Sequence, residues 1–227
     1  MDAGLEKKSK LFQQMLENSF ELLKDLTKTV PGYESLHDIL KGISNEMILD
    51  MLTNTFKSND KQFNVLCHSD LWANNIMFRH SRDNAVVDVL LVDYQLAKLN
   101  TPAADLAYCI LTSFDENLGE SSWNVLLDHY HTTLMQTLDQ FEYEDRRITL
   151  SELHEQFLSQ SVFACLIGII GMGTRKLEDS DNGLDHFIAQ TEEGRQFRLN
   201  MMLRKTCENE LITILNFIGD HRVFEKK

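Results

Sequence analysis

His68-Ser69-Asp70-Leu71-Trp72-Ala73-Asn74-Asn75, followed beyond a turn-rich gap by Leu90-Leu91-Val92-Asp93-Tyr94-Gln95, decides how the rest of this chain is read. It sets out an Asp, an Asn five residues on, and a second Asp further along. Phe63-Asn64-Val65-Leu66 ahead of it is short and β-like, and Asn75-Ile76-Met77-Phe78 is similar. The polar cluster from Arg79 to Asn84 supplies a turn, and Val86 to Val92 reads as a strand. The pattern therefore predicts an Asp-bearing loop, a β-hairpin, and an Asp delivered at the end of a buried second strand.

Outside this unit the period is helical. From about Leu5 to Leu26, Leu11, Met15, Leu22 and Leu26 form one apolar stripe, with Phe12, Leu16 and Leu23 beside it. Pro31-Gly32 stops this segment. Leu36 to Phe56 repeats the pattern, so two helices are expected before the motif. After Pro102, helices are expected over Asp105 to Thr112, Trp123 to Phe141, Leu150 to about Ile170, and a long, broken segment from Phe187 to Phe217. Phe114-Asp115-Glu116-Asn117 reads as a loop. There is no internal repeat, low-complexity tract or convincing boundary, so residues 1–227 are read as one domain.

Composition narrows the function. The 227 residues include 22 Lys and Arg against 35 Asp and Glu, a net charge of −13 that argues against nucleic-acid or anionic-membrane binding. Acidity does not exclude ATP, because Mg²⁺ can sit between carboxylates and phosphates. Cys67, Cys109, Cys165 and Cys207 are far apart with no CxxC, which fits free thiols in a reducing compartment. The apolar stretch Val162 to Met172 is shorter than the ~20 residues that span a bilayer and reads as a buried helix. The opening Met-Asp-Ala-Gly-Leu-Glu-Lys-Lys has no apolar signal core, and a cytoplasmic location is expected.

Phosphoryl transfer asks a protein for a positioned hydroxyl and neutralised phosphate charge. Asp70 is the candidate to accept or orient the hydroxyl proton. Asn75 and Asp93 are the candidates to hold Mg²⁺ and, through it, ATP, one with a neutral oxygen and one with a charged oxygen. An isolated Asp with a nearby Asn is more often solvated or capping; the intervening hairpin favours the chemical reading. His68 is expected to brace the loop by a hydrogen bond rather than exchange protons, and Trp72 to pack. Asp105 is expected to be structural, either as a first-turn charge or as a brace beneath the loop. Asp88 should face water. His129 and His131, two apart on a helix, point to different faces and do not suggest a shared metal.

Phe63 through Phe78 resembles the catalytic loop of the ecdysteroid kinase-like (CHK kinase-like) family, related to choline kinases and aminoglycoside phosphotransferases. Leu90 to Leu96 is similar to that family's metal-binding segment, and Thr101-Pro102-Ala103-Ala104-Asp105-Leu106-Ala107-Tyr108 to its next motif. The resemblance spans about Phe63 to Leu138. It implies an α+β, mostly helical fold: a protein-kinase-like C-terminal lobe with a small β-hairpin unit at the catalytic loop. It implies a transferase that phosphorylates a small-molecule hydroxyl, on an ecdysteroid or related alcohol, from ATP with Mg²⁺. Asp70 would be the base, with Asn75 and Asp93 the metal ligands.

Two departures stand out. Ser69 replaces the Gly usual between the His and the Asp, which matters only if that position needs φ > 0. The residues before the loop read as helices, with no Gly-rich hairpin and no Val-Ala-x-Lys-like strand, so the N-terminal ATP-gripping lobe of a kinase is not visible here. The alternative is a catalytically inactive fragment or pseudokinase-type binding protein that retains the C-lobe fold.

Overall fold

The structure is a computed structural model and describes residues 3–56, 61–113, 122–175 and 183–225. The Phe114 to Asn117 segment, expected as a loop, lies outside the described residues. Three helices come first: α1 (Ala3–Thr29), α2 (Glu34–Lys41) and α3 (Asn45–Phe56). Strands β1 (Val65–Cys67), β2 (Ile76–His80), β3 (Val86–Leu91) and β4 (Lys98–Asn100) follow, and then helices α4 (Pro102–Thr112) and α5 (Ser122–Gln140). The chain closes with α6 (Leu150–Arg175), α7 (Gly183–Ile188), α8 (Glu192–Met202) and α9 (Glu208–Asp220).

The segment expected as one helix from Leu36 to Phe56 is two. The chain turns at Gly42 and Ile43, and Ser44 accepts from the Met47 amide at 3.2 Å to start α3. The segment from Phe187 to Phe217 is broken more than its periodicity suggests, into α7, α8 and α9. Thr191 caps α8 through the Gly194 amide at 3.1 Å. The buried Arg198 donates to the Phe187 and Ala189 carbonyls at 2.9 and 2.8 Å, satisfying acceptors that the end of α7 leaves open.

α6 is the axis of the core. Leu153, Phe157, Cys165, Leu166 and Ile169 are fully buried, and α1, α3, α4, α5, α8 and α9 all touch it. By length and composition alone α6 could cross a membrane, but its apolar side chains are spent on this packing. Its approach to α4 is close: a Cβ on Gly168 would stand 2.6 Å from the Leu111 carbonyl oxygen. α1 contributes Phe20, Leu22, Leu23 and Leu26 to the core, while Leu11 and Phe12 at the start of the same stripe are exposed.

Among the described residues the β-structure is two antiparallel pairs. β2 and β3 form the expected hairpin, with Ile76 opposite Leu91 and Arg79 opposite Asp88. Asn84 takes φ +63° in its turn, a conformation Asn tolerates. The expectation of a buried delivery strand is corrected: β3 is exposed along most of its length. Met77, Phe78, Val87 and Leu90 are each more than half exposed. Asp88 does face water, paired with Arg79 at 3.0 Å. The three-residue β4, unforeseen in the sequence, pairs with β1, placing Cys67 opposite Lys98. α4 then begins with Pro102 after the cap Thr101, whose Oγ1 accepts from the Ala103 amide at 3.4 Å. The hydroxyl of Thr101 also donates to Gln156 on α6.

Candidate active site

The loop between β1 and β2 carries Asp70 and is held from below by Asp105 in the first turn of α4. One Asp105 carboxylate oxygen accepts from the His68 amide at 2.6 Å and the other from the Ser69 amide at 2.8 Å. Of the two structural roles expected for Asp105, the brace is the one the fold uses. Ser69 adopts φ +66°, so the position that lacks its usual Gly is one where Gly would be unstrained.

His68 is buried and acts as the expected brace. Its Nε2 lies 2.7 Å from the Val92 carbonyl and donates to it, tying the loop to the end of β3. Its Nδ1 is buried without a hydrogen-bond partner among the described residues, and the Tyr94 ring lies 4.7 Å away, centroid to centroid.

Asp70 and Asn75 come together. The Asn75 side-chain amide donates to the Asp70 carbonyl at 2.8 Å and to Asp70 Oδ2 at 3.2 Å. A short 3-10 turn, Ala73–Asn75, curls the chain back to allow this, closed by the Asn75 amide on the Trp72 carbonyl at 2.9 Å. The Asn75 carbonyl accepts from the Val92 amide at 3.0 Å, so Asp93 follows directly on the residue that pairs with Asn75. Asp93 is exposed and stands in the left-handed region, φ +68° and ψ +58°, which turns the chain out of β3 into a second 3-10 turn. Its carboxylate accepts from Gln95 Nε2 at 3.3 Å and forms no ion pair among the described residues.

The residues present suit a hard cation. Asn75 has committed its amide nitrogen to Asp70, which leaves Oδ1 without a donor among the described residues. Asp93 offers an exposed carboxylate with a neutral neighbour only. Oxygen donors of this kind, one neutral and one charged, are those that Mg²⁺ takes. Among the described residues, no group of three or more His, Cys, Asp and Glu side chains could hold a metal. His131 is committed elsewhere, with Nε2 3.0 Å from the Ile148 carbonyl.

Tyr108 is the residue that sequence reasoning passed over. It lies one turn beyond Asp105 on α4, and its hydroxyl donates to Asp70 Oδ1 at 2.9 Å. The signal was present in the spacing, since residues three apart share a helix face. Its ring stands 5.9 Å from Phe163, which stands 6.2 Å from the exposed Phe12, an aromatic row running from Asp70 to the surface. Burial, and then the charge of Asp70, push the Tyr108 phenol above its ordinary range. Burial and then Asp105 push the Cys67 thiol up to about 12. Tyr130, on α5, is raised to about 12 by burial and by the charges of Cys67 and Asp105. Burial pulls the Lys98 ammonium down. All four cysteines are free.

A mostly helical α+β domain with small antiparallel sheets is compatible with a kinase-like fold. The chain is a member of the ecdysteroid kinase-like family, whose model matches residues 2–143, more than half of its length. That match bears out the family resemblance carried by Phe63 to Leu138. No curated protein and no solved structure matches the chain.

Proposed function

We propose that this chain transfers the γ-phosphoryl group of ATP to the hydroxyl of a small-molecule alcohol. The observation that carries the reading is the contact of Asp70 with Asn75 beside the turn that presents Asp93, in a chain of this family. Asp70 orients the acceptor hydroxyl and takes its proton. Asn75 Oδ1 and the Asp93 carboxylate would hold Mg²⁺, which when bound neutralises charge on the phosphate oxygens. Asp105 and His68 keep the loop in the shape that brings Asp70 to Asn75. The row of Tyr108, Phe163 and Phe12 favours an acceptor with an apolar body, and an ecdysteroid is one alcohol of that kind.

The residues here act as a C-terminal lobe. The apolar, water-facing hairpin supports this, because contiguous exposed apolar surface marks a place where another element docks. An ATP-gripping lobe over one face of the hairpin would cover Met77 and Leu90, which stand opposite each other. ATP use and four free cysteines support a cytosolic location as part of this reading. The test is calorimetric titration of the chain with Mg–ATP, followed by transfer of labelled γ-phosphate to a panel of alcohols. Binding with transfer supports the proposal. Absence of both from the chain and from a version carrying an ATP-gripping lobe overturns it in favour of a non-catalytic binding role.

A further inference from the structure

We propose that Tyr108 is the positioning residue of Asp70, fixing by its hydroxyl the carboxylate oxygen that faces the acceptor. A carboxylate on an Asp side chain turns about a soft torsion with a broad, two-fold profile. Here each oxygen is held by a different donor: Oδ2 by the Asn75 amide at 3.2 Å and Oδ1 by the Tyr108 hydroxyl at 2.9 Å. Two donors on two oxygens set the plane of the group, and each oxygen keeps a lone pair for a substrate hydroxyl. The phenol must stay protonated to donate, and burial beside Asp70 keeps it so at any physiological pH.

The support behind this contact is rigid. Tyr108 and Asp105 lie one turn apart on α4, so one helix grips the backbone of His68 and Ser69 and the head group of Asp70. α4 in turn lies against α6 at Gly168 with no space for a side chain. An apolar ring at position 108 would pack equally well against Phe163. The hydroxyl therefore has its use in the contact with Asp70.

The role as a positioning residue rests on the phosphotransferase reading; the contact itself does not. Tyr108→Phe keeps the ring and removes only the hydroxyl. In a transferring enzyme we expect kcat to fall about 10- to 100-fold, with KM for Mg–ATP and the melting temperature close to those of the parent. A Phe variant with unchanged kcat and pH profile overturns the proposal. Independently of turnover, the hydroxyl-bearing ring carbon of Tyr108, labelled with ¹³C, should shift in Asp70→Ala, where the phenol loses its acceptor. An unmoved signal overturns the contact and the proposal with it. A parent that transfers nothing while this signal moves overturns the phosphotransferase reading and supports the contact.

Discussion

The amide of Ser69 donates to an oxygen of Asp105 at 2.8 Å while Ser69 itself is held at φ +66°. The clamp holds the two amides that flank His68, and the left-handed turn at Ser69 then carries the chain on to Asp70. An L-residue there costs about 1–2 kcal/mol, part of which Gly recovers after its own larger loss of chain entropy. Ser69→Gly should therefore stabilise the fold by about 0.5–1 kcal/mol. The urea midpoint should rise with an unchanged slope; a lower midpoint would show that the position is not strained.

Asp105→Ala removes the acceptor for two backbone amides at once. Each buried donor left unpaired costs about 1–3 kcal/mol, so a loss of about 3 kcal/mol is expected. Asp105→Asn should cost less, because one amide keeps an oxygen while the other meets an NH₂ group. Denaturation of the two variants side by side checks the order, and equal stability of Ala and parent would remove Asp105 from the loop's support.

The same residues show what the sequence made legible. The hairpin, the loop, α4, α5 and α6 follow from strong periodicity and from Pro102, and the structure has them near the expected bounds. Asp70 and Asn75 were found by spacing because five residues allow one tight turn to bring them together. What escaped depended on tertiary contact. β4 is three residues of backbone pairing with no period to read. The division of Leu36 to Phe56 falls at Gly42, where the apolar spacing continues through Ile43 because that side chain is buried. The exposure of β3 could not be read either, since Val86 to Leu91 has the composition of a covered strand. Tyr108 was visible as a residue but not as a partner, because its role depends on which face of α4 meets the loop.

Gly168→Ala probes how that face is set. The added Cβ would lie 2.6 Å from the Leu111 carbonyl oxygen, which is backbone and cannot swing aside. α4 and α6 would have to separate, at about 1–3 kcal/mol, and α4 carries both Asp105 and Tyr108. Stability should fall, and the Tyr108 ring signal should move although the nearest atoms to the added Cβ belong to Leu111 and Ile214. A variant as stable as the parent would mean the helices have slack at this crossing.

Asp70 and Asp93 should separate by assay. Asp70→Asn keeps a polar group of the same size that can still accept from Tyr108, but removes the proton acceptor. If the chain transfers phosphate as proposed, turnover should fall at least 100-fold while Mg–ATP binding holds. Asp93→Ala removes the proposed charged metal ligand, and its defect should appear first as weaker Mg–ATP binding by calorimetry. Equal nucleotide affinity of Asp93→Ala and parent would take Asp93 out of the metal site.

The buried acids around the loop give the fold an alkaline limit. Cys67 and Tyr130 are each raised to about 12, and Cys165 and Tyr108 are also raised, in every case by burial first. Each is favoured in its neutral, protonated form when folded. As pH climbs past about 8.5, the thiols of the unfolded chain lose protons that the native state still holds. The unfolded state then binds fewer protons, so stability decreases with pH, by about 1.4 kcal/mol per pH unit for each such thiol. The contribution is fully present below about pH 8.5 and is lost as pH rises toward the native values near 12. The urea midpoint should be level from pH 7 to about 8.5 and then decline, more steeply once the tyrosines of the unfolded chain ionise near pH 10. Cys67→Ala should flatten the first part of that decline. A midpoint that stays constant through pH 10 would mean these groups are no more shielded in the fold than in the open chain.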